Sequence, residues 1–167
     1  TKDSGEYTST KSDENALSVS GNINANLSNI NVSKTGNSDG GDNTSFYGTN
    51  SAVIAKSKAT LTLDNITEKT NATGANGVFC YGGSATTNNS SSDGTTINIS
   101  NSKITTTKDN SGGIMTTGGG VMNAKNLTIE TSGTSSAAIR TDRGGGTVNV
   151  EKGTYKTNGQ GSPTIYS

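Results

Sequence analysis

The feature that most constrains this chain is a spacing. Short apolar stretches recur along it, and three columns of positions align them. The first column holds Leu17, Val53, Val78, Ile114, Ile139 and Ile165, at intervals of 36, 25, 36, 25 and 26 residues. The second holds Leu27, Leu63, Ile99, Ala124 and Val150. The third lies five residues further on, at Val32, Glu68, Ile104, Ile129 and Tyr155, and Tyr7 extends it backward by 25. The unit is therefore about 25 residues, and a fixed period of that size marks a stacked repeat. Each interval of 36 is one unit plus 11 residues. The gap between columns that lengthens locates the two insertions near residues 36–47 and 82–94. Both are runs of turn formers, "GNSDGGDNTSFYG" and "GGSATTNNSSSDG", where the chain tolerates extra residues.

Within each unit the apolar residues alternate with period two, as in Leu61-Thr62-Leu63, Ile97-Asn98-Ile99 and Val148-Asn149-Val150. That is the pattern of strands with one buried face, and no helical period accompanies it. Three short strands per unit, separated by Gly, Asn and Ser turns, describe a coil of a parallel β-helix better than a sandwich or a propeller blade. The expectation is an all-β, right-handed parallel β-helix (solenoid) of about six coils, roughly 25 residues per coil, with two 11-residue loop insertions. Stacking also explains how a chain that is only 26% hydrophobic and 4% aromatic fills a core. A core that is thin in each coil becomes continuous along the axis. Thr, Ser, Gly and Asn together supply 95 of the 167 residues. Such a bias reads as disorder only when net charge is also high, and here 13 basic residues balance 13 acidic ones.

Stacking puts like residues in ladders. Two residues after the second column stand Asn29, Asn65, Asn101 and Asn126, with Lys152 in the fifth place. Asn tolerates the left-handed backbone of a tight turn, and its amide bonds to the same amide one coil away. Two residues after the first column, Val19, Ala55, Cys80, Thr116, Thr141 and Ser167 point inward, so Cys80 belongs to the core. Both ends of the chain match the interior of a unit: "SGEYTST" resembles "KGTYKTN" at 152–158, and "SPTIYS" resembles "SAAIRT" at 136–141. The whole of 1–167 is expected to be a single β-helix segment cut from a longer solenoid.

The stretches "SDENAL", "NGVFCYG", "DNSGGIMTTGGG", "SSAAIRTDRGGGTVNVEKGTY" and "SPTIYS" resemble the Asn/Thr/Gly-rich right-handed β-helix domains of secreted or wall-attached proteins of gut Gram-positive bacteria, and the likeness covers nearly the whole chain. The resemblance implies an extracellular or cell-surface location and an adhesin-like role. Some immunoglobulin-binding superantigens of gut commensals are similar in kind. It implies no catalytic residues.

Composition narrows the chemistry. The chain has no His and no Trp, which removes the commonest general base and metal ligand and with them Ser-His-Asp, Cys-His and zinc chemistry. Zero net charge and the lack of a Lys/Arg stripe argue against nucleic acid. No apolar run is long enough to span a membrane. Acids that would form a lyase or hydrolase site on such a fold are scattered. "NSDGGDN" at 37–43 lacks the Glu and the spacing of a calcium loop. Gly118 to Gly120 and Gly144 to Gly146 occupy equivalent turns and read as corners, not a phosphate cradle. A non-catalytic module without cofactor or metal is expected.

One face departs from the polar background. Beside the first column, the outward positions carry Ile54, Phe79 and Tyr81, Met115, Arg140 and Tyr166, and Phe46 and Tyr47 close the first inserted loop. These eight are the candidate binding residues. If the stripe is open, its aromatics and Met beside an Arg suit a protein partner. The alternative is that the loops fold over it as a small satellite core. The leading expectation is a monomer that binds a host protein, immunoglobulin among the candidates. A surface glycan, as ligand or as substrate of a polysaccharide-degrading β-helix, is the second reading. A third is an ice-binding face, for which the second strand offers Asn24/Asn26, Thr60/Thr62, Thr96/Asn98, Val121/Asn123 and Thr147/Asn149. Arg140, Asp142 and Arg143 include both arginines of the chain and are expected to form a charged rim to the stripe.

Overall fold

A computed structural model describes residues 2–85 and 91–167, with Lys2 and Asp3 described by backbone alone. Among the described residues the elements are, in chain order, β1 (Lys2–Ser9), β2 (Leu17–Ser20), β3 (Asn24–Lys34), α1 (Asp42–Tyr47), β4 (Val53–Lys56), β5 (Thr60–Asp64), β6 (Thr67–Thr70), β7 (Val78–Tyr81), β8 (Thr96–Thr106), β9 (Ile114–Thr117), β10 (Gly120–Thr131), β11 (Ile139–Thr141), β12 (Gly146–Thr157) and β13 (Ile165–Tyr166). All strand pairs are parallel, and they form two sheets. The larger runs β1-β3-β5-β8-β10-β12, with β6 also joining β3 to β8, and the smaller runs β13-β11-β9-β7-β4-β2.

The register follows the columns. Leu17 pairs with Val53, Val53 with Val78, Val78 with Ile114, Ile114 with Ile139, and Ile139 with Ile165. In the larger sheet Leu27, Leu63, Ile99, Ala124 and Val150 are successive partners, and so are Tyr7, Val32, Glu68, Ile104, Ile129 and Tyr155. One continuous core fills the space between the sheets, from Leu17 and Val19 to Ile129 and Ile139. Each fully buried Leu, Ile or Val contributes roughly 1.5–3 kcal/mol. Almost all of them are used, for among the described large aliphatics only Ile23, Val150 and Ile165 are exposed. The last two lie on β12 and β13, the outermost strands at one end of the sheets. Cys80 is fully buried, and desolvation pushes its thiol up to about 12.

The expected second and third strands of each unit fuse into one long, bent strand in β3, β8, β10 and β12. The bend falls on a left-handed residue: Ser4, Asn29, Asn65, Asn101, Asn126 and Lys152 all have φ between 51° and 68°. Such a residue turns the chain while its neighbours stay paired. Asn65 Nδ2 donates to Asn29 Oδ1 at 2.7 Å, and Asn126 Nδ2 to Asn101 Oδ1 at 2.9 Å. The ladder breaks once, where Asn101 Nδ2 turns to Asp64 Oδ1 at 2.8 Å. A second ladder, unforeseen from the columns, closes the turn before the smaller sheet. The Ser111 hydroxyl accepts from the Ala75 N–H, the Ser136 hydroxyl from the Ser111 N–H, and the Ser162 hydroxyl from the Ser136 N–H.

Both insertions fall at the expected places. The first runs out after Thr35, whose N–H still pairs with Ser9 O, and rejoins at Ser51 and Ala52, where the Ala52 N–H donates to Asn76 O. It contains α1, a helix of six residues that leaves no periodic signature in the sequence. The second leaves at Gly82 and returns at Thr95, with residues 86–90 outside the described set. The glycine corners are confirmed: the Gly118 N–H donates to Arg143 O and the Gly119 N–H to Gly145 O, so these N–H groups hold adjacent turns together. A Cβ on Gly82 would sit 2.2 Å from Gly120 N, which is why that corner needs glycine.

Among the described residues, two charged side chains lie inside. Lys34 is buried with its Nζ donating to Lys11 O at 2.5 Å and Thr35 O at 2.7 Å, and burial pulls its ammonium down against the opposing pull of Glu14 and Asp13. Glu68 stands in the third column between Val32 and Ile104. Its side chain is fully buried, neither carboxyl oxygen has a hydrogen-bond partner, and desolvation pushes its pKa up to about 8. It fits because Gly77 has no side chain: a Cβ there would lie 2.6 Å from Glu68 Oε2.

Candidate binding face

The outward column of the smaller sheet is in register as expected: Ser18, Ile54, Phe79, Met115, Arg140 and Tyr166 are successive partners. Of the two alternatives, an open stripe and a covered satellite core, the structure has the covered one. Ile54, Phe79 and Met115 are buried to within 1% and pack as a satellite cluster with Tyr81 at its edge. What covers them is the first insertion. Gly48, the left-handed residue that ends α1, comes so close that a Cβ on it would lie 2.7 Å from the Phe79 ring. The buried Thr117 hydroxyl donates to Phe46 O at 2.7 Å, fastening the helix to β9. Three of the eight candidates thus offer a partner no surface in this structure.

The other five, with Asp142 and Arg143, are brought together. Tyr47 meets Tyr81 edge to face with ring centroids 5.4 Å apart. Burial raises the Tyr81 phenol above its ordinary pKa. The neighbour of Tyr47, Phe46, lies under the guanidinium of Arg143 at 4.1 Å. Arg143 also reaches Asp42 of α1 at 3.5 Å, and its N–H donates to Asp142 Oδ1 at 2.8 Å. The Asp142 Oδ2 accepts from Arg140 Nε at 3.0 Å and from Arg140 Nη2. The Arg140 guanidinium lies 5.8 Å from the Tyr166 ring. A strip therefore runs from Tyr81 to Tyr47 by ring contact, through the adjacent Phe46 to Arg143, and by the Arg143 backbone N–H to Asp142 and on to Arg140 and Tyr166. Tyr47 is 41% exposed and Tyr166 51%. The expected charged rim exists, and Arg143 does more than border the stripe, since it clips α1 in place through both a ring contact and an ion pair.

Beside Arg140 and Tyr166 a groove of about 240 Å³ opens, lined also by Ser45 of α1 and by the turn residues Asn110, Ser135 and Pro163. Column arithmetic on the strands misses these residues because they belong to turns. Their signal in the sequence is their equivalence: Asn110, Ser135 and Gly161 recur at the unit spacing and all have positive φ.

The acidic loop is used internally. Asp39 Oδ1 accepts from the Gly41 N–H at 2.9 Å and Asp42 pairs with Arg143. Among the described residues no group of three or more His, Cys, Asp or Glu is placed to hold a metal ion, and no helix is long and apolar enough to cross a membrane. No family model, curated protein or solved structure matches this chain.

Proposed function

We propose that this chain is a non-catalytic recognition module of a secreted or surface-attached bacterial protein, built as a right-handed parallel β-helix of about six coils, and that it binds a host protein through the strip from Tyr81 to Tyr166. Two parallel sheets whose partners recur every 25, 26 or 36 residues support the solenoid reading. Parallel strands joined by a crossover are right-handed in about 98% of cases, which supports that hand. The resemblance of its turn-rich stretches to adhesin-like domains supports the location and the role.

The observation that carries the reading is the strip itself. It joins two exposed tyrosines to two arginines, and its backing is a sealed apolar cluster. Tyr and Arg dominate protein interfaces because they supply large contact area and directed hydrogen bonds at low entropic cost. Asp142 fixes the direction of Arg140, so less ordering remains to be done on binding. The chemistry of an enzyme has no matching support: the buried Glu68 carboxyl and the Cys80 thiol are both shut away from solvent.

The test is capture from serum, with immunoglobulin as the first purified partner, on wild type and on Tyr47→Ala and Tyr166→Ala. Each substitution is expected to weaken binding about tenfold or more, the loss of one interface hot spot. Binding unchanged in both variants would remove the strip from consideration.

A further inference from the structure

We propose that the groove between α1 and the turns of the last coils is a subsite for a single neutral sugar ring, so that the partner recognised by this face is a glycosylated one. The inference rests on the reading of this face as a binding surface and adds the chemical class of what enters beside it.

Three observations converge on the groove. Its volume of about 240 Å³ is below the roughly 300–1,000 Å³ of pockets that enclose drug-sized ligands, which matches one ring. Its walls offer an aromatic plane and short polar groups in the same small space. Tyr166 is half exposed, while Arg140, Asn110, Ser135 and Ser45 bring a guanidinium, an amide and two hydroxyls. That combination is what a pyranose needs: an aromatic face for its C–H side and mixed donors and acceptors for its hydroxyls. Rigidity is the third point. The backbone of the wall is held by the turn ladder, with the Asn110 N–H on Thr134 O and the Ser135 N–H on Gln160 O. The wall is therefore formed before the ligand arrives.

Charge decides which sugar. The Arg140 Nε and Nη2 both go to Asp142 Oδ2, so the guanidinium is already neutralised by a carboxylate. An acidic sugar would have to displace Asp142 from Arg140 or share the guanidinium with it. A neutral ring accepts a hydrogen bond from the remaining guanidinium N–H groups without disturbing that pair.

The experiment is saturation-transfer NMR on the intact chain with the methyl glycosides of galactose, N-acetylglucosamine and N-acetylneuraminic acid as probes. Wild type is expected to transfer magnetisation to at least one of the two neutral sugars. Tyr166→Ala removes the ring plane. Asn110→Gly removes the amide while keeping a residue at ease with φ 52°. Each should weaken binding about tenfold, as loss of one well-made contact does. Thr62→Ala, on β5 of the larger sheet, should leave the sugar signal unchanged. No transfer to either neutral sugar, transfer to the acidic sugar alone, transfer unchanged in Tyr166→Ala or Asn110→Gly, or loss of transfer in Thr62→Ala would each overturn the subsite. Sugar binding that persists in a chain that captures no serum protein would break the protein-partner reading alone.

Discussion

The two sheets face the solvent in opposite ways. The outer side of the larger sheet carries Thr60, Thr62, Thr96, Asn98, Asn123, Thr147 and Asn149, all half-exposed or exposed. Asn123 Nδ2 donates to Asn98 Oδ1 at 2.9 Å and Asn149 Nδ2 to Asn123 Oδ1 at 2.8 Å, so the amides satisfy one another along the stack. The outer side of the smaller sheet carries Ile54, Phe79 and Met115, and the first insertion lies across it. Both faces present the same parallel backbone at the same spacing. The difference is in side chains alone. It teaches that a stacked repeat stays unadorned where its outward residues hydrogen-bond to their own kind, and acquires an insertion where they are apolar and must be taken from water.

The sharpest way to break this comparison is to empty the covered face. Phe79→Ala should lower the unfolding free energy by about 3–5 kcal/mol, the usual cost of truncating a buried Phe, whereas Thr62→Ala on the bare face should stay within about 0.5 kcal/mol. Chemical denaturation of both variants measures it. Near-equal effects would mean that α1 rests on the sheet without packing against it.

Glu68 provides a second contrast, between one unit and the others in the same column. Its pKa is raised from an ordinary 4.5 to about 8 in the folded chain, so between those values the folded state holds a proton that the unfolded state has lost. The contribution of Glu68 to stability is therefore greatest below pH 4.5, falls as pH rises towards 8, and is level above it. The slope is at most about 1.4 kcal/mol per pH unit, on the order of 3 kcal/mol by neutral pH. Glu68→Gln should flatten that slope and be the more stable chain at pH 7. A difference in melting temperature between Glu68→Gln and wild type that does not grow between pH 5 and pH 8 would contradict the buried, unpartnered carboxyl.

Smaller effects sharpen the picture. Asn126→Ala forces a Cβ-bearing residue without a local hydrogen bond into φ 55° and cuts the link to Asn101. It should cost about 1–2 kcal/mol, and Asn126→Gly clearly less, as thermal unfolding would show. Arg143→Ala removes an exposed ion pair and a ring contact. Its cost should be only about 0.5–1 kcal/mol globally, yet amide exchange across α1 should quicken while β9 stays protected. Uniform exchange in both would mean that Arg143 does not clip the helix.

What the sequence made legible is whatever recurs. The three columns, the register of every sheet pair from Leu17 to Ile165, the left-handed Asn positions and the inward placement of Cys80 follow from spacing, because a one-residue slip would turn each strand inside out. Glu68 was visible in a core column, though not that it would stand there without a partner. What was not legible is what occurs once. Six residues of α1 are too short for a helical period, and no column says whether an outward Phe79 meets water or a loop. The grip of Arg143 on Phe46 joins residues almost a hundred positions apart and belongs to no repeat. Asn110 and Ser135 recur, but as turn residues they lie outside a pattern built on apolar positions.

Recognition is proposed to belong to the rim of the covered face and not to the outer side of the larger sheet. Binding of immunoglobulin, or of whatever serum protein the chain captures, should be titrated on two double variants, Tyr47→Ala with Tyr166→Ala, and Asn98→Ala with Asn123→Ala. A loss of about a hundredfold or more is expected for the first pair, two hot-spot contacts together, and a change within about twofold for the second. Binding that survives the first pair and fails in the second would contradict it.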